Sequence, residues 1–464
     1  MATPRLRPTT ILLTTALAFG TVGCTAVGAT SSTGDSTAVG ASAENVAAVW
    51  DSSTVHSFSV TFDEDEYDAM IATYLESEEK EWITATVVID GVTYENVGLK
   101  LKGNSSLRGL TTDADADLSS TNPETLPWII RLDKNVDGQS HDGATEFVVR
   151  ANSSETALNE AVALDLLEAA GLASEEAVTA RFSANGSEEV LRLVIENPED
   201  TWMERELGSG LLYKAEAGGD YSYRGEDAES YTDVFDQEAG DDDLTPLIDF
   251  LQWLNESSDE EFAADLGDHL DVEAFATYLA FQDLVSNMDD IDGPGNNSYL
   301  YYDSDTGLMT VVNWDLNLAF GQANVGGGGG GMGGGGGMPE DGEQAEGMPT
   351  DRPTDIPEGM GDPGEMPEGG DMPTDGERPE GGNAGGRGGF GGSNILSERF
   401  LADEDFQALY QEARETLQAE LFDSGLADDI LAAWTETLTD EATDLVDADT
   451  IETESETLSD AFPS

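Results

Sequence analysis

A change of composition between residues 325 and 393 constrains the fold of this chain more than any other feature. The stretch holds two glycine runs, followed by Pro, Glu, Asp and Gly around four Met-Pro pairs. Because it has few large apolar residues, it cannot bury enough surface to offset the entropy of ordering its backbone, and we predict a disordered insertion. The core must come from the residues on either side.

Two flanking regions can supply that core. Residues 54–324 carry aromatic and β-branched residues at a density sufficient for one large domain or two lobes. In residues 394–464, apolar side chains from Ile395 to Trp434 recur at helical spacing. We predict that this C-terminal region is a helical part of the same domain, with residues 325–393 looped out.

The first 24 residues have the features of an export signal. Arg5 and Arg7 precede an apolar run over residues 11–19, and small residues lead to Cys24, the single cysteine of the chain. This end resembles the lipobox of bacterial lipoproteins, although Thr21 replaces the usual Leu. We predict lipidation of Cys24, residues 25–53 as a flexible tether, and a location on the outer face of the bacterial membrane; ordinary secretion is the alternative.

Charge and residue counts exclude several classes of function. With 96 acidic and 19 basic residues, the net charge of −77 repels nucleic acid and anionic lipid, so the lipid anchor is the one membrane contact expected. A single Cys excludes a Cys/His zinc site, and three scattered histidines argue against a His-based triad. A site built on carboxylates remains, while the sequence leaves the oligomeric state open.

Local patterns predict a mixture of strands and helices. Apolar alternation and helix caps, with Asp90-Gly91 as a hairpin turn, mark these elements. The predicted strands are 55–62, 84–90, 92–101, 127–132, 147–150, 190–195 and 211–214, and the predicted helices are 63–75 and 154–170.

Two loops after strands could bind ions. Lys100, Lys102 and Arg108 surround a Gly-Asn-Ser-Ser run, in which Asn104, Ser105 and Ser106 would let backbone N–H groups approach an anion. A hairpin end without a ligand is the alternative. Residues 133–138 match the start of a calcium loop, but its twelfth position is Ala144 rather than Glu, which favours a plain hairpin turn.

The stretches 287–302 and 311–321 place carboxylates and carboxamides beside β-prone runs. Phosphoryl transfer needs an Asp for the acceptor hydroxyl, an Asn and an Asp for a metal ion, and a cation for the phosphates. Glycoside hydrolysis also uses a pair of carboxylates, and the number of carboxylates in this acidic chain does not exclude it. A tight turn with capping side chains is the alternative without function.

Four segments together resemble the CotH family of spore-coat-type atypical protein kinases. They are residues 97–106, the strand 128–133, the Asn-x-Asp loop with Asn296-Asn297, and the stretch 314–321. The resemblance implies an α+β, atypical protein-kinase-like two-lobed fold with C-terminal helices. It also implies ATP with Mg²⁺ or Mn²⁺ as cofactors, with Ca²⁺ also considered, and phosphorylation of Ser or Thr on exported proteins.

The resemblance assigns roles residue by residue. Asp315 corresponds to a metal-binding Asp, with Asn297, Asn296 and Asn317 nearby; the family often has a second Asp where Asn317 stands. Asp289, Asp290 and Asp292 remain alternatives for the catalytic base. Arg131 stands where the family often has Lys, so the phosphate-pairing cation is left among Arg131, Lys100, Lys102 and Lys214, oriented by Glu160 or Glu196. A non-catalytic cell-surface protein that binds calcium or cell-wall partners is the alternative function.

Overall fold

The computed structural model describes residues 49–114, 116, 118–216, 220–293, 297–321 and 394–464. These ranges contain both α-helices and mostly antiparallel β-strands, which confirms the predicted α+β class. The predicted signal peptide, most of the tether and the insertion at 325–393 lie outside the described residues. No helix within these ranges combines the length and the apolar character that crossing a bilayer requires.

Seven strands form a closed barrel. Its neighbours follow the order β1-β2-β3-β4-β5-β7-β6, and β1 and β6 close it as a parallel pair. The strands are β1 (His56–Phe62), β2 (Ile83–Ile89), β3 (Val92–Leu101), β4 (Trp128–Arg131), β5 (Glu146–Val149), β6 (Ala177–Ala184) and β7 (Val190–Ile195). Closure leaves no unpaired edge, and Phe58, Trp128 and Phe147 fill the interior without solvent exposure.

Local signals in the sequence explain the first barrel elements. Helix α1 (Glu64–Ser77) begins after Asp63, whose carboxylate accepts from the backbone N–H groups of Asp65 and Glu66. Asp90 and Gly91 both have positive φ, as a two-residue hairpin between β2 and β3 requires. The β4 and β5 strands pair antiparallel, so the connection containing residues 133–138 is part of a hairpin, as predicted.

Helix α2 (Leu158–Ala169) packs on the outside of the barrel. It begins at Leu158 rather than at residue 154, because Ala157 adopts left-handed φ of 55° and Glu454 accepts from the N–H groups of Glu155 and Thr156. Nine of its residues are buried, so it is enclosed on most faces instead of being amphipathic. Two C-terminal helices, α9 (Leu426–Glu441) and α10 (Ala448–Asp460), cover it.

A second, four-stranded antiparallel sheet follows the barrel in the chain. Its order is β11-β10-β8-β9, with β8 (Gly210–Ala215), β9 (Phe235–Ala239), β10 (Ser298–Asp303) and β11 (Met309–Asn313). Helix α3 (Asp200–Glu206) packs on one face. On the other face lies an apolar cluster that draws on α4 (Thr245–Glu256), α5 (Asp259–Asp265), α6 (Val272–Leu284), α7 (Ile395–Ala402) and α8 (Glu404–Leu417).

The helices after the insertion confirm the helical spacing predicted for the C-terminal region. They contribute to the apolar cores of both sheets. Helices α7 and α8 pack with α6 on the four-stranded sheet, while α9 and α10 pack with α2 on the barrel. The two-lobed kinase-like arrangement and the exact domain boundaries stay predictions.

Candidate functional site

One cavity of about 990 Å³ collects most of the predicted site residues. It lies where β3, β4 and β5 end near β8, β9 and the two Asp-containing loops. The predicted residues that line it are Lys100, Lys102, Asn104, Ser105, Ser106, Arg131, Glu160, Lys214, Asp289, Asn297, Asp315 and Asn317. Asp290, Asp292 and Glu196 lie elsewhere, while Asn296 and Cys24 are outside the described residues.

The cavity is where this acidic chain concentrates its cations. Within the described ranges, nine Lys and Arg residues border the cavity, including all five lysines of the chain; they are Lys80, Lys100, Lys102, Lys134, Lys214, Arg108, Arg131, Arg150 and Arg192. In a chain with net charge −77, such clustering focuses a positive potential in one concave place. The cavity is therefore suited to a polyanion such as a phosphate chain.

Aromatic rings hold three of these lysines. The Lys100 and Lys134 Nζ atoms lie 4.7 and 4.9 Å from the centroid of the Trp82 ring, and Lys102 Nζ lies 4.8 Å from that of Trp314. Cation–π contact favours an ammonium group over the ring face without neutralising it. The rings of Trp82 and Trp314 therefore help to fix where these three side chains lie on the cavity wall.

Lys102 is also the most perturbed cation. Burial lowers the pKa of Lys102 to about 7, and the nearby charge of Lys214 adds to the effect while Glu238 opposes it. Burial would also lower the pKa of Lys214, but the carboxylates of Glu216 and Glu238 outweigh it and raise that pKa. Lys102 is therefore the lysine whose charge responds to a bound anion near neutral pH.

We expect anion binding to be coupled to proton uptake at Lys102. Above pH about 7 the free protein holds Lys102 largely neutral, and a bound polyphosphate favours the protonated form, so affinity falls as pH rises. Calorimetry of tripolyphosphate binding near pH about 8, in two buffers of different ionisation enthalpy, should show uptake of up to roughly one proton. Lys102→Met should lose that proton uptake. Protons exchanged by tripolyphosphate itself contribute equally for both proteins, so the difference reports Lys102. Equal uptake by both proteins would contradict the assignment.

Lys102 and Arg131, two of the proposed phosphate-pairing cations, are linked through buried polar groups. Lys102 Nζ donates to Asn197 Oδ1 at 3.2 Å, and Asn197 Nδ2 donates to Glu146 Oε2 at 2.9 Å. Arg131 then pairs with Glu146 at 2.9 Å and with Asp133 at 2.9 Å. The carboxylates already engaged by Arg131 make it a less available anion ligand than Lys102.

Asp315 follows β11 in an unusual backbone conformation. Its φ is +62°, in the left-handed region, which Asp tolerates better than most residues. The ring of the preceding Trp314 lies edge-on to Tyr299, with centroids 5.4 Å apart. This packing fixes the turn, and Asp315 borders the cavity with a side chain 22% exposed.

Arg150 connects Asp315 to Glu160. Its Nε donates to Glu160 Oε2 at 3.0 Å, and its Nη2 forms an ion pair with Glu160 Oε1 at 2.8 Å. The same Nη2 donates to Asp315 Oδ1. Burial raises the pKa of Glu160 to about 7, although Arg150 opposes this. Sequence reasoning missed Arg150; the available signal was a lone cation directly after the apolar strand β5.

Glu196, the other carboxylate proposed to orient a cation, faces a different partner. It forms a bidentate pair with Arg205, at 2.6 and 2.5 Å, and accepts from the N–H of Glu176 at 3.0 Å. Among the described residues, Glu160 is therefore the predicted orienting carboxylate that lies on the cavity.

The loop after α6 separates the three candidate bases. Asp289 lines the cavity, whereas Asp290 is 4% exposed and accepts from the N–H of Asp292 at 3.0 Å. Asp292 accepts from the N–H of Asn394 at 3.1 Å, where the chain enters α7. Gly293 packs so closely that an added Cβ would lie 2.4 Å from the Asp289 Cα, so this turn requires glycine.

The oxygen donors of the cavity fit a hard divalent cation. Across the described ranges, no three His, Cys, Asp or Glu side chains form a cluster able to hold a metal ion. Mg²⁺, however, keeps several waters and takes only one or two carboxylates together with substrate phosphates. Asp315, Asp289, Asn297 and Asn317 supply two carboxylates and two carboxamides beside the lysines, which matches that requirement.

Comparison with known proteins agrees with this chemistry. The model of a family described as "CotH kinase protein" matches residues 99–458. The inner spore coat protein H of Bacillus subtilis (strain 168) is 26% identical over 188 residues, which are 39% of this chain and 51% of that protein. The chain therefore aligns with about half the length of this curated relative.

Proposed function

The chain belongs to the CotH kinase family, whose model spans residues 99–458, and we propose that it transfers the γ-phosphoryl group of ATP to Ser or Thr of exported proteins. One observation carries the proposal. All five lysines of a strongly acidic chain border the same cavity as Asp289, Asn297 and Asp315. Phosphoryl transfer needs this combination of cations for phosphates and oxygen donors for a metal ion.

In the proposed reaction, Asp289 accepts the proton of the acceptor hydroxyl as its oxygen attacks the γ-phosphorus. The bond between that phosphorus and the β–γ bridging oxygen breaks, and ADP leaves. Asp315 and Asn297 would hold the divalent ion, which neutralises charge on the phosphates when bound. Lys102 and Lys214 provide further positive charge, and Arg150, which Glu160 anchors, holds Asp315 in place by direct contact.

The deciding experiment is transfer of labelled phosphate from ATP by the purified full-length chain, with Mg²⁺ or Mn²⁺. Asp315→Asn should lower the rate by about 10²–10³-fold, because charge stabilisation at the phosphates is lost. Asn accepts from Arg150 and tolerates positive φ, so the fold should survive. Asp305→Asn, an exposed change in the turn between β10 and β11, is the matched control.

Equal labelling by wild-type and Asp315→Asn protein would contradict the role of Asp315. No labelling by the wild type, with calcium or cell-wall binding intact, would instead favour the non-catalytic alternative.

We also propose that Cys24 carries a lipid that holds the protein on the outer face of the cell membrane. The support is the charged start, the apolar run and the small residues before Cys24. Wild-type protein should partition into detergent phase, and Cys24→Ala protein should remain in the aqueous phase. A wild-type chain that partitions with water would rule out the anchor.

A further inference from the structure

Buried polar side chains connect the two Asp-containing loops. Gln282, in α6, is fully buried, and its Nε2 donates to Asn313 Oδ1 at 2.7 Å. On its other side, Gln282 Oε1 accepts from Asn287 Nδ2 at 2.9 Å. Asn287 Oδ1 in turn accepts from the backbone N–H of Asp289 at 3.4 Å. We call Asn313, Gln282 and Asn287 the amide relay.

The amide relay joins the two loops at equivalent positions, each two residues before the aspartate of its loop. Asn313 ends β11, two residues before Asp315, and Asn287 precedes Asp289 by two residues. Asn313 is 3% exposed and Asn287 is 5% exposed, so water does not compete for these bonds. A shift of either loop along the relay would break a buried hydrogen bond.

The hydrogen-bond direction of the relay follows from one backbone group. Because the Asp289 N–H can only donate, the Asn287 oxygen must face it and the Asn287 NH₂ must face Gln282. Gln282 then presents its oxygen to Asn287 and its NH₂ to Asn313. This leaves Asn313 Nδ2 buried without a partner within the described structure, a cost that a purely packing role would not explain.

We propose that Gln282 is a positioning residue, which sets the separation of Asp289 and Asp315 through the amide relay. This inference rests on the proposed function. Asp289 must reach the acceptor hydroxyl while Asp315 holds the metal ion on the phosphates, so their relative position determines the rate. Gln282 touches neither substrate nor cofactor; it acts through Asn287 and Asn313.

The test breaks the relay without removing volume. Gln282→Met preserves the length of the side chain and removes both hydrogen bonds, and Asn313→Leu breaks the relay at its other end. Both should lower kcat by about 10–100-fold, since small misplacements of reacting groups have effects of that size. The KM for ATP should change less than about threefold, because the lysines that bind phosphate are untouched.

Three further measurements separate positioning from loss of stability. Leu279→Val, a buried apolar change in the same helix, should lower the melting temperature while leaving kcat unchanged. Hydrogen–deuterium exchange should rise in the segments 287–293 and 311–317 together in both relay variants, and in neither for Leu279→Val. The double variant Gln282→Met/Asn313→Leu should be no slower than the slower single variant, because both break one relay.

The outcomes distinguish this inference from the proposed function. A folded Gln282→Met or Asn313→Leu protein with wild-type kcat, a raised KM alone, or unchanged exchange in both segments would overturn the relay. If the wild type transfers no phosphate, the proposed function fails, and coupled exchange of the two segments still decides whether the relay links them.

Discussion

Asp289→Asn should lower the kcat of phosphoryl transfer by about 10²–10⁴-fold, the range that a general base contributes. Of the three adjacent carboxylates, Asp289 alone borders the cavity that holds Asp315 and the lysines. Asn has nearly the same shape as Asp but cannot take the proton of the acceptor hydroxyl. The rate should be measured at saturating ATP, so that any change in binding is separated from the chemical step.

Asp290→Asn and Asp292→Asn are the matched controls. In these variants the side-chain oxygen can still accept from the N–H of Asp292 and of Asn394, respectively. Each should therefore retain kcat within about threefold of the wild type. A large loss in Asp292→Asn with little effect in Asp289→Asn would transfer the catalytic role to Asp292.

Arg150→Met should lower the free energy of unfolding by about 3–5 kcal/mol, because it leaves two carboxylates without their buried cation. The Glu160 side chain is 2% exposed and that of Asp315 is 22% exposed, so water cannot replace the guanidinium at Glu160. Urea unfolding followed by circular dichroism measures the difference. Arg181→Met is the matched control, since Arg181 pairs with the exposed carboxylates of Asp444 and Glu189.

The loss of unfolding free energy in Arg150→Met should become larger as pH rises. The folded-state pKa of Glu160 is about 7, above its ordinary value of 4.5, so between these values the folded state binds more protons and stability falls with rising pH. Arg150 lowers the pKa of Glu160, so its removal raises that pKa further. The pH range in which stability falls with rising pH then extends above 7. The variant should therefore lose more stability at pH about 8 than at about 6; an equal loss at both would show that Glu160 does not titrate there.

Several elements could be read from the sequence because their signals are local. The Asp90-Gly91 turn, the Asp63 cap and the helical spacing after residue 394 depend on neighbouring residues in the chain, and the structure confirms each. The predicted start of α2 at residue 154 is wrong, because Glu454, 298 residues from Thr156, accepts from the backbone of the turn before Leu158. No local sequence pattern predicts a partner so far away in the chain.

Strand β6 shows the same limit within the barrel. The sequence pattern predicts no strand over 177–184, although β6 closes the barrel by pairing in parallel with β1. That pairing joins strands that are more than 100 residues apart, and a parallel connection has no short turn to mark it.

The sequence by itself determined the chemistry available to this protein: one cysteine, three histidines, abundant carboxylates and five lysines leave little besides oxygen donors and scarce cations. Only the tertiary structure decided which of them meet. It brings all five lysines to one cavity and places Asp289 and Asp315 on its wall. It also engages Asp292 with the N–H of Asn394 and places Arg150 between Glu160 and Asp315. The physical reason is that residue types fix what a side chain can bind, while strand pairing and helix packing fix which side chains lie within reach.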